Sequence, residues 1–263
     1  MKDKFILILI VTVFIYSSIT LFKTNKKTIK KEFNYNFTFP FFKENKKEEY
    51  LNYKNKNNLS LKEAIIHVNI GLNNPFYTNT SPAKDINKIT MLVNKYHYVD
   101  KNYTPTNLIK VNNMYINKEA YEAFLNMKND IEKENMTIRI ISAYRSFNYQ
   151  ENLYNNYLKK DEKAIVDTYS ARPGYSEHHT GLAIDIDNNK LDFNKFYMTK
   201  EFVWMNENSY KYGFIIRYPK DKEYITGYTY EPWHFRYVGI EIATYIKKHN
   251  STYEEYYYEF LDL

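Results

Sequence analysis

Ser176-Glu177-His178-His179-Thr180-Gly181-Leu182-Ala183-Ile184-Asp185-Ile186 decides what this chain folds into. Pro173-Gly174 just upstream marks a turn, and Gly181 lets another backbone approach closely. From Leu182 to Ile186 the residues read as a strand, in which Ala183 and Asp185 share one face and Ile184 and Ile186 the other. The small Ala183 leaves room beside the carboxylate. An aspartate flanked by two isoleucines is costly to bury unless it is paired, bound to a metal or bonded to backbone N–H groups. The strand alone does not choose among these. His178 and His179 are adjacent, so their side chains diverge and one of them reaches a given metal.

A second segment, Glu231-Pro232-Trp233-His234, supplies another imidazole and another carboxylate. On a flat strand, residues three apart face opposite ways. Pro232 cannot occupy a central ladder, so a bend is expected that brings Glu231 and His234 to one site. Trp233 then turns away or walls the pocket. Two imidazoles and one carboxylate are a donor set for a catalytic zinc, which takes three protein ligands and keeps one position open. Glu231 is left over as a candidate base. Arg145 follows an apolar strand and precedes a helix. Its planar fork suits a carboxylate or a developing oxyanion, and a structural salt bridge explains it equally well.

Hydrophobic periodicity extends outward from these segments. Ser60-Leu61-Lys62-Glu63 resembles a capping box opening a helix over 61–69, closed by Gly71. The spacing of Tyr121, Phe124, Leu125, Met127 and Ile131 predicts a helix over 118–134. Strands are expected at 91–95, 137–143, 182–186, 214–218 and 233–237, and helices at 148–160, 199–212, 240–249 and 254–263. Helices that precede and interrupt a small sheet indicate an α+β fold. The other histidines have structural explanations: His67 and His249 lie in predicted helices, and His97 lies between Tyr96 and Tyr98.

The 263 residues suffice for one catalytic domain with an N-terminal extension. The absence of cysteine excludes disulfides, thiolate metal sites and thiol nucleophiles. The net charge of +6 comes from scattered lysines without a basic aromatic stripe, which argues against nucleic acid as a partner. Residues 1–22 read as a signal anchor or signal peptide, since Phe5 to Phe22 is an apolar run long enough to span a bilayer. Residues 23–58, rich in Lys and Asn, read as a flexible tether, and residues 59–263 as the catalytic domain. Charge bias alone, from Lys23, Lys26, Lys27, Lys30 and Lys31, would place that domain in the cytoplasm. The enzyme chemistry argues for the opposite side.

Taken together, Ser176-x-His178-x-x-Gly181-x-Ala183-x-Asp185 and Glu231-Pro232-Trp233-His234 resemble the two metal motifs of the VanY-type zinc D-alanyl-D-alanine carboxypeptidases, the M15B peptidoglycan peptidases. Tyr144-Arg145-Ser146 with Gln150 looks like that family's YRSxxxQ segment. The stretch from Leu92-Val93-Asn94-Lys95 to Tyr103-Thr104-Pro105, and Tyr212-Gly213-Phe214 with Arg217-Tyr218-Pro219, are similar to further parts of such domains. The resemblance spans roughly 60–249. It implies a small antiparallel sheet with helices packed around it and the zinc at the sheet, as in Hedgehog and DD-peptidase-like folds. It implies one Zn2+ held by His178, Asp185 and His234, with Glu231 as the base toward a zinc-bound water. Arg145 would stabilise the oxyanion or orient substrate. Ser176, Gln150, Tyr144 and Trp233 would contact substrate. The implied activity is hydrolysis of the C-terminal D-Ala-D-Ala bond of peptidoglycan stem peptides outside the membrane, with the membrane held through the N-terminal segment, or a secreted enzyme if that segment is cleaved. An L,D-carboxypeptidase trimming tetrapeptide stems carries the same motifs, and a non-catalytic wall-binding module is the remaining alternative.

Overall fold

The computed structural model describes residues 39–190 and 192–263. The expected membrane segment over 1–22 and the first part of the tether lie outside the described residues. No helix among the described residues is long and apolar enough to cross a membrane. The described residues divide into two compact units, with the boundary between Ile65 and Ile66.

In the first unit, α1 (Lys47–Asn57) occupies the second part of the expected tether. Composition hid it. Its termini nonetheless suit a helix: Glu48 and Glu49 stand in the first turn, Lys54 and Lys56 in the last, each complementing the helix dipole. Asn58 closes it in the left-handed conformation. Tyr50 and Leu51 are buried, and the Tyr50 hydroxyl accepts from the Lys43 backbone N–H at 3.2 Å. The next helix, α2 (Leu61–Ile70), opens on the expected capping box: Glu63 N–H donates to Ser60 Oγ at 3.2 Å, and Ser60 N–H to Glu63 Oε2 at 2.9 Å.

The second unit begins with a short parallel bridge of β1 (Ser81–Pro82) and β2 (His97–Tyr98), then a hairpin of β3 (Leu108–Val111) and β4 (Met114–Asn117). No strand forms over 91–95. Met91, Leu92 and Val93 are buried as an apolar strand would be, but the Asn94 side-chain oxygen accepts from the N–H groups of both Tyr96 and His97 and bends the chain into a turn. The helix α3 (Lys118–Lys133) is capped by Asn117, whose side chain accepts from Glu119 and Ala120 N–H. After β5 (Arg139–Ser142) come α4 (Phe147–Leu158) and α5 (Lys163–Tyr169), the latter without a clear period in the sequence.

Then β6 (Ala183–Asp187), β7 (Phe214–Ile216) and β8 (His234–Tyr237) complete an antiparallel sheet of order β5-β6-β8-β7. Around it lie α6 (Lys200–Asn208), whose expected continuation to 212 tightens into a 3-10 turn, α7 (Glu223–Thr226), α8 (Ile240–His249) and α9 (Tyr253–Phe260). One sheet face carries Ile184, Ile186 and Phe235, which pack with Phe124, Met127 and Ile131 of α3. Each such fully buried side chain contributes roughly 1.5–3 kcal/mol. The other face of β6, with Asp185 at its centre, is free for chemistry. The architecture is α+β, as expected.

Candidate metal centre and active site

Register sets the site. Asp185 on β6 stands directly opposite His234 on β8 and opposite Ser142 on β5. His178 comes from a 3-10 turn (Glu177–Thr180), with the Ser176 hydroxyl accepting the His178 N–H and Gly181 closing the turn at φ +70°. A Cβ at Gly181 would lie 2.6 Å from Leu108 Cδ2. The left-handed backbone favours glycine, and a Cβ would also crowd the Asn117 backbone N at 3.2 Å.

One ligand atom from each of His178, Asp185 and His234 lies within 4.8 Å of the others, and all three residues are buried. His178 Nδ1–H donates to Ala143 O at 2.7 Å, leaving Nε2 as the free lone pair, 3.4 Å from Asp185 Oδ2. His234 presents its other nitrogen, with Nδ1 3.2 Å from Asp185 Oδ1. His179 points elsewhere: its Nδ1–H donates to Arg145 O and its Nε2 accepts from Gly174 N–H. It is a structural residue.

The donor set fits a divalent metal. Asp185 Oδ1 is buried without a hydrogen-bond partner, and two imidazole nitrogens converge beside it. An unpartnered carboxylate oxygen flanked by imidazole nitrogens is an arrangement that a divalent metal satisfies. Burial and Arg145 push the His178 pKa down to about 4, so the ring is neutral and able to coordinate at neutral pH. Burial alone would lower His234, but the carboxylates of Asp185, Glu177 and Glu231 outweigh it and raise its pKa to about 9. Burial would raise Asp185, yet His178, His234 and Arg145 hold it well below the usual carboxylate range.

Glu231 and His234 are joined by the expected bend. His234 N–H donates to Glu231 O at 3.3 Å, a turn with Pro232 and Trp233 at its centre. The turn sets Glu231 Oε2 3.5 Å from His234 Nδ1. Burial raises the Glu231 pKa to about 7, with Asp185 adding to the rise and His234 and Arg145 opposing it.

These residues line a cavity of about 480 Å³, together with Arg145, Gln150, Ser176 and Trp233. Arg145 donates through Nη2 to Asp185 Oδ2 at 2.7 Å and through Nε and Nη2 to Ser142 Oγ. Its guanidinium thus holds the carboxylate of a candidate ligand while facing the cavity. Gln150 is buried; its amide N–H2 donates to Ala171 O and its Oε1 has no partner. Trp233 stands edge-on to Phe193 at the cavity wall. Tyr144 does not line the cavity: its backbone N–H bonds Tyr115 O on the β3–β4 hairpin. Tyr175 packs on Tyr77 and Tyr98.

Sequence reading missed the support behind His234. Glu177 is fully buried, with Oε1 accepting from Arg217 Nε at 2.8 Å and Arg236 Nη1 at 2.9 Å. Its other oxygen faces His234 Nε2 at 3.8 Å, so Nε2 is directed to a carboxylate and Nδ1 to the ligand set. Arg217 also holds Glu254 through both Nη atoms. Burial would raise Glu177, but Arg217 and Arg236 hold it far below its ordinary pKa. One signal was available: Arg236 is two residues from His234 on a strand, hence on the same face, and a buried arginine there demands a carboxylate.

A sequence model of the VanY family, D-alanyl-D-alanine carboxypeptidase, matches residues 113–240, which include every residue lining the cavity. The putative carboxypeptidase YodJ of Bacillus subtilis (strain 168) is 41% identical over 182 residues, covering 64% of this chain and 67% of YodJ. The chain belongs to the VanY family of carboxypeptidases. Two solved structures overlay on it. The LD-carboxypeptidase LdcB shares 38% identity at a TM-score of 0.65, over 69% of this chain and 91% of LdcB. The vancomycin-resistance D,D-pentapeptidase VanY of a VanB-type cassette, a point variant in complex with Zn(II), shares 32% identity at a TM-score of 0.56, over 64% of this chain and 97% of that one. The VanY sheet and its helices are the α+β frame described above.

Proposed function

We propose that this VanY-family chain is a zinc-dependent D,D-carboxypeptidase that releases the terminal D-Ala from peptidoglycan stems ending in D-Ala-D-Ala. The observation that carries this reading is the buried Glu231 carboxyl beside the converging His178, Asp185 and His234, its Oε2 3.5 Å from His234 Nδ1. A zinc held by those three residues would supply a Lewis acid that polarises the scissile carbonyl and makes a water acidic near neutral pH. Glu231 accepts the proton of the attacking water and passes it to the departing D-Ala nitrogen, the part open to a carboxyl within reach of both. Arg145 stands beside the ligand carboxylate with its Nη1 uncommitted to Ser142 or Asp185, where it can meet a developing oxyanion or a substrate carboxylate. Ser176 and Gln150 line the approach, and the Gln150 Oε1 is ready to accept an N–H from substrate. The substrate lies outside the membrane, so residues 1–22 are read as an anchor that leaves the domain extracytoplasmic.

The fit to LdcB, whose name carries L,D specificity, supports a second reading: trimming of tetrapeptide stems. Purified enzyme incubated with pentapeptide and tetrapeptide stems separates the two. Release of D-Ala from the pentapeptide is expected, and release from the tetrapeptide alone refutes the D,D assignment. Glu231→Gln should retain zinc and fold while losing turnover by roughly 10²–10⁴-fold, the ordinary worth of a general base. Near-normal turnover removes Glu231 from that role.

A further inference from the structure

A buried ammonium lies outside the metal centre and outside the stretch matched by the family model. Lys95 is 3% exposed. Its Nζ donates to the backbone carbonyls of Asp167 at 2.6 Å and Gly227 at 2.5 Å. It also lies 4.2 Å from the ring centre of Tyr228, 5.0 Å from Phe76 and 5.3 Å from Tyr77. Two carbonyls and three aromatic faces form a cage for a cation. Burial pulls the Lys95 pKa down to about 8, with Asp167 opposing the fall and Arg172 adding to it. The surrounding loop is shaped to admit this side chain. Gly227 has φ +76°, and a Cβ there would stand 2.8 Å from Lys95 Cδ and 3.0 Å from Nζ.

The two carbonyls belong to the two chain segments that build one side of the active-site cavity. Beyond Asp167 run Tyr169, Ser170 and Ala171, all lining the cavity; beyond Gly227 run Tyr228 and Thr229, also lining it, and then Glu231. A backbone bond, Thr229 N–H to Thr168 O at 2.8 Å, also ties the segments together. None of the three candidate metal ligands lies in either segment: His178 is held from Ala143, and Asp185 and His234 are paired within the sheet. The ammonium therefore holds the Gly227 end of the loop that carries the base, whose Glu231 end is held by Glu231 N–H to Tyr218 O at 3.1 Å, and does so without touching the ligand set.

We propose that Lys95 is a positioning residue for Glu231: its caged ammonium clamps the 226–231 loop against the end of α5 and so sets the base and the Tyr228 wall relative to the metal centre. The inference rests on the reading of Glu231 as the base. A purely apolar packing role for the lysine stem would be satisfied by methionine, whereas a clamp needs the charge and the donors.

The test uses the full-length, zinc-loaded protein. Lys95→Met keeps the length of the side chain and removes both donors and charge. It should keep its zinc and lose kcat by roughly tenfold to a hundredfold, the effect of a misplacement near 1 Å, with KM moved much less. Amide hydrogen exchange over 227–231 should quicken by about tenfold or more while exchange over 183–187 stays unchanged. In Lys95→Ala, added propylammonium should restore both kcat and slow exchange, and propanol should restore neither. Wild-type kcat and wild-type exchange in Lys95→Met overturn the proposal, as does equal rescue by amine and alcohol. If Lys95→Ala does not fold, the methionine variant decides alone. Wild-type and Glu231→Gln proteins run in parallel keep the two readings apart. Loss of the functional reading shows as an inactive wild type or an active Glu231→Gln, and the exchange measurement still reports on the clamp.

Discussion

Arg217→Met is the perturbation that most directly tests the buried charge network behind His234. Arg217 is completely buried and donates three bonds: Nε to Glu177 at 2.8 Å, and Nη1 and Nη2 to Glu254 at 2.8 and 2.6 Å. Methionine fills much of the volume but leaves Glu254 with the Asn94 side-chain amide at 3.2 Å and Glu177 with Arg236. Removing one partner of a buried ion pair typically costs about 3–5 kcal/mol, because the remaining charge stays desolvated. For a unit of this size each kcal/mol lowers Tm by about 2–4 °C, so a fall of roughly 6–20 °C is expected. Thermal and urea unfolding, with zinc and after chelation, measure it. Arg217→Met combined with Glu254→Met removes both partners of the bidentate pair and should recover part of the loss, a positive coupling energy. A single-variant loss below about 1 kcal/mol, or strict additivity in the double variant, would refute the network as a source of stability.

The metal-free His234, with its pKa near 9, contributes stability that is fully present below the unfolded value of 6.5 and is lost as pH rises through about 9. Zinc must displace that proton, so calorimetric titration between pH 7 and 8 in buffers of different ionisation heat should show net proton release, and none would contradict His234 as a ligand. His234→Ala should come through dialysis without zinc, and full metal content would contradict the same assignment. Gly181→Ala combines a left-handed backbone at φ +70° with a 2.6 Å approach to Leu108 Cδ2. It should destabilise by about 1–3 kcal/mol and weaken zinc binding through the displaced His178 turn. An unchanged Tm and metal affinity would show that the turn relaxes freely.

The parts of this site that were legible in sequence are those governed by local rules. Period-2 alternation from Ala183 to Ile186 put Asp185 on the face away from the core, and Pro232 forced the turn that brings Glu231 to His234. The motif resemblance then joined segments that no local rule connects. What escaped was long-range or masked by composition. Lys47–Asn57 was hidden because a Lys- and Asn-rich run has the look of a linker even when its end charges and an αL cap favour a helix. The strand expected at 91–95 failed because periodicity reports burial, which is correct there, while one Asn94 side chain decides the backbone. Glu177 stood in plain view inside the first motif yet carried no meaning, since its partners Arg217 and Arg236 lie 40 and 59 residues away. The same holds for Lys95, whose two acceptors are 72 and 132 residues distant. Candidate ligands can be named from short motifs because chemistry restricts which side chains bind zinc. The groups that aim those ligands are ordinary charged residues, recognisable only once folding has removed them from water and obliged each to find a partner.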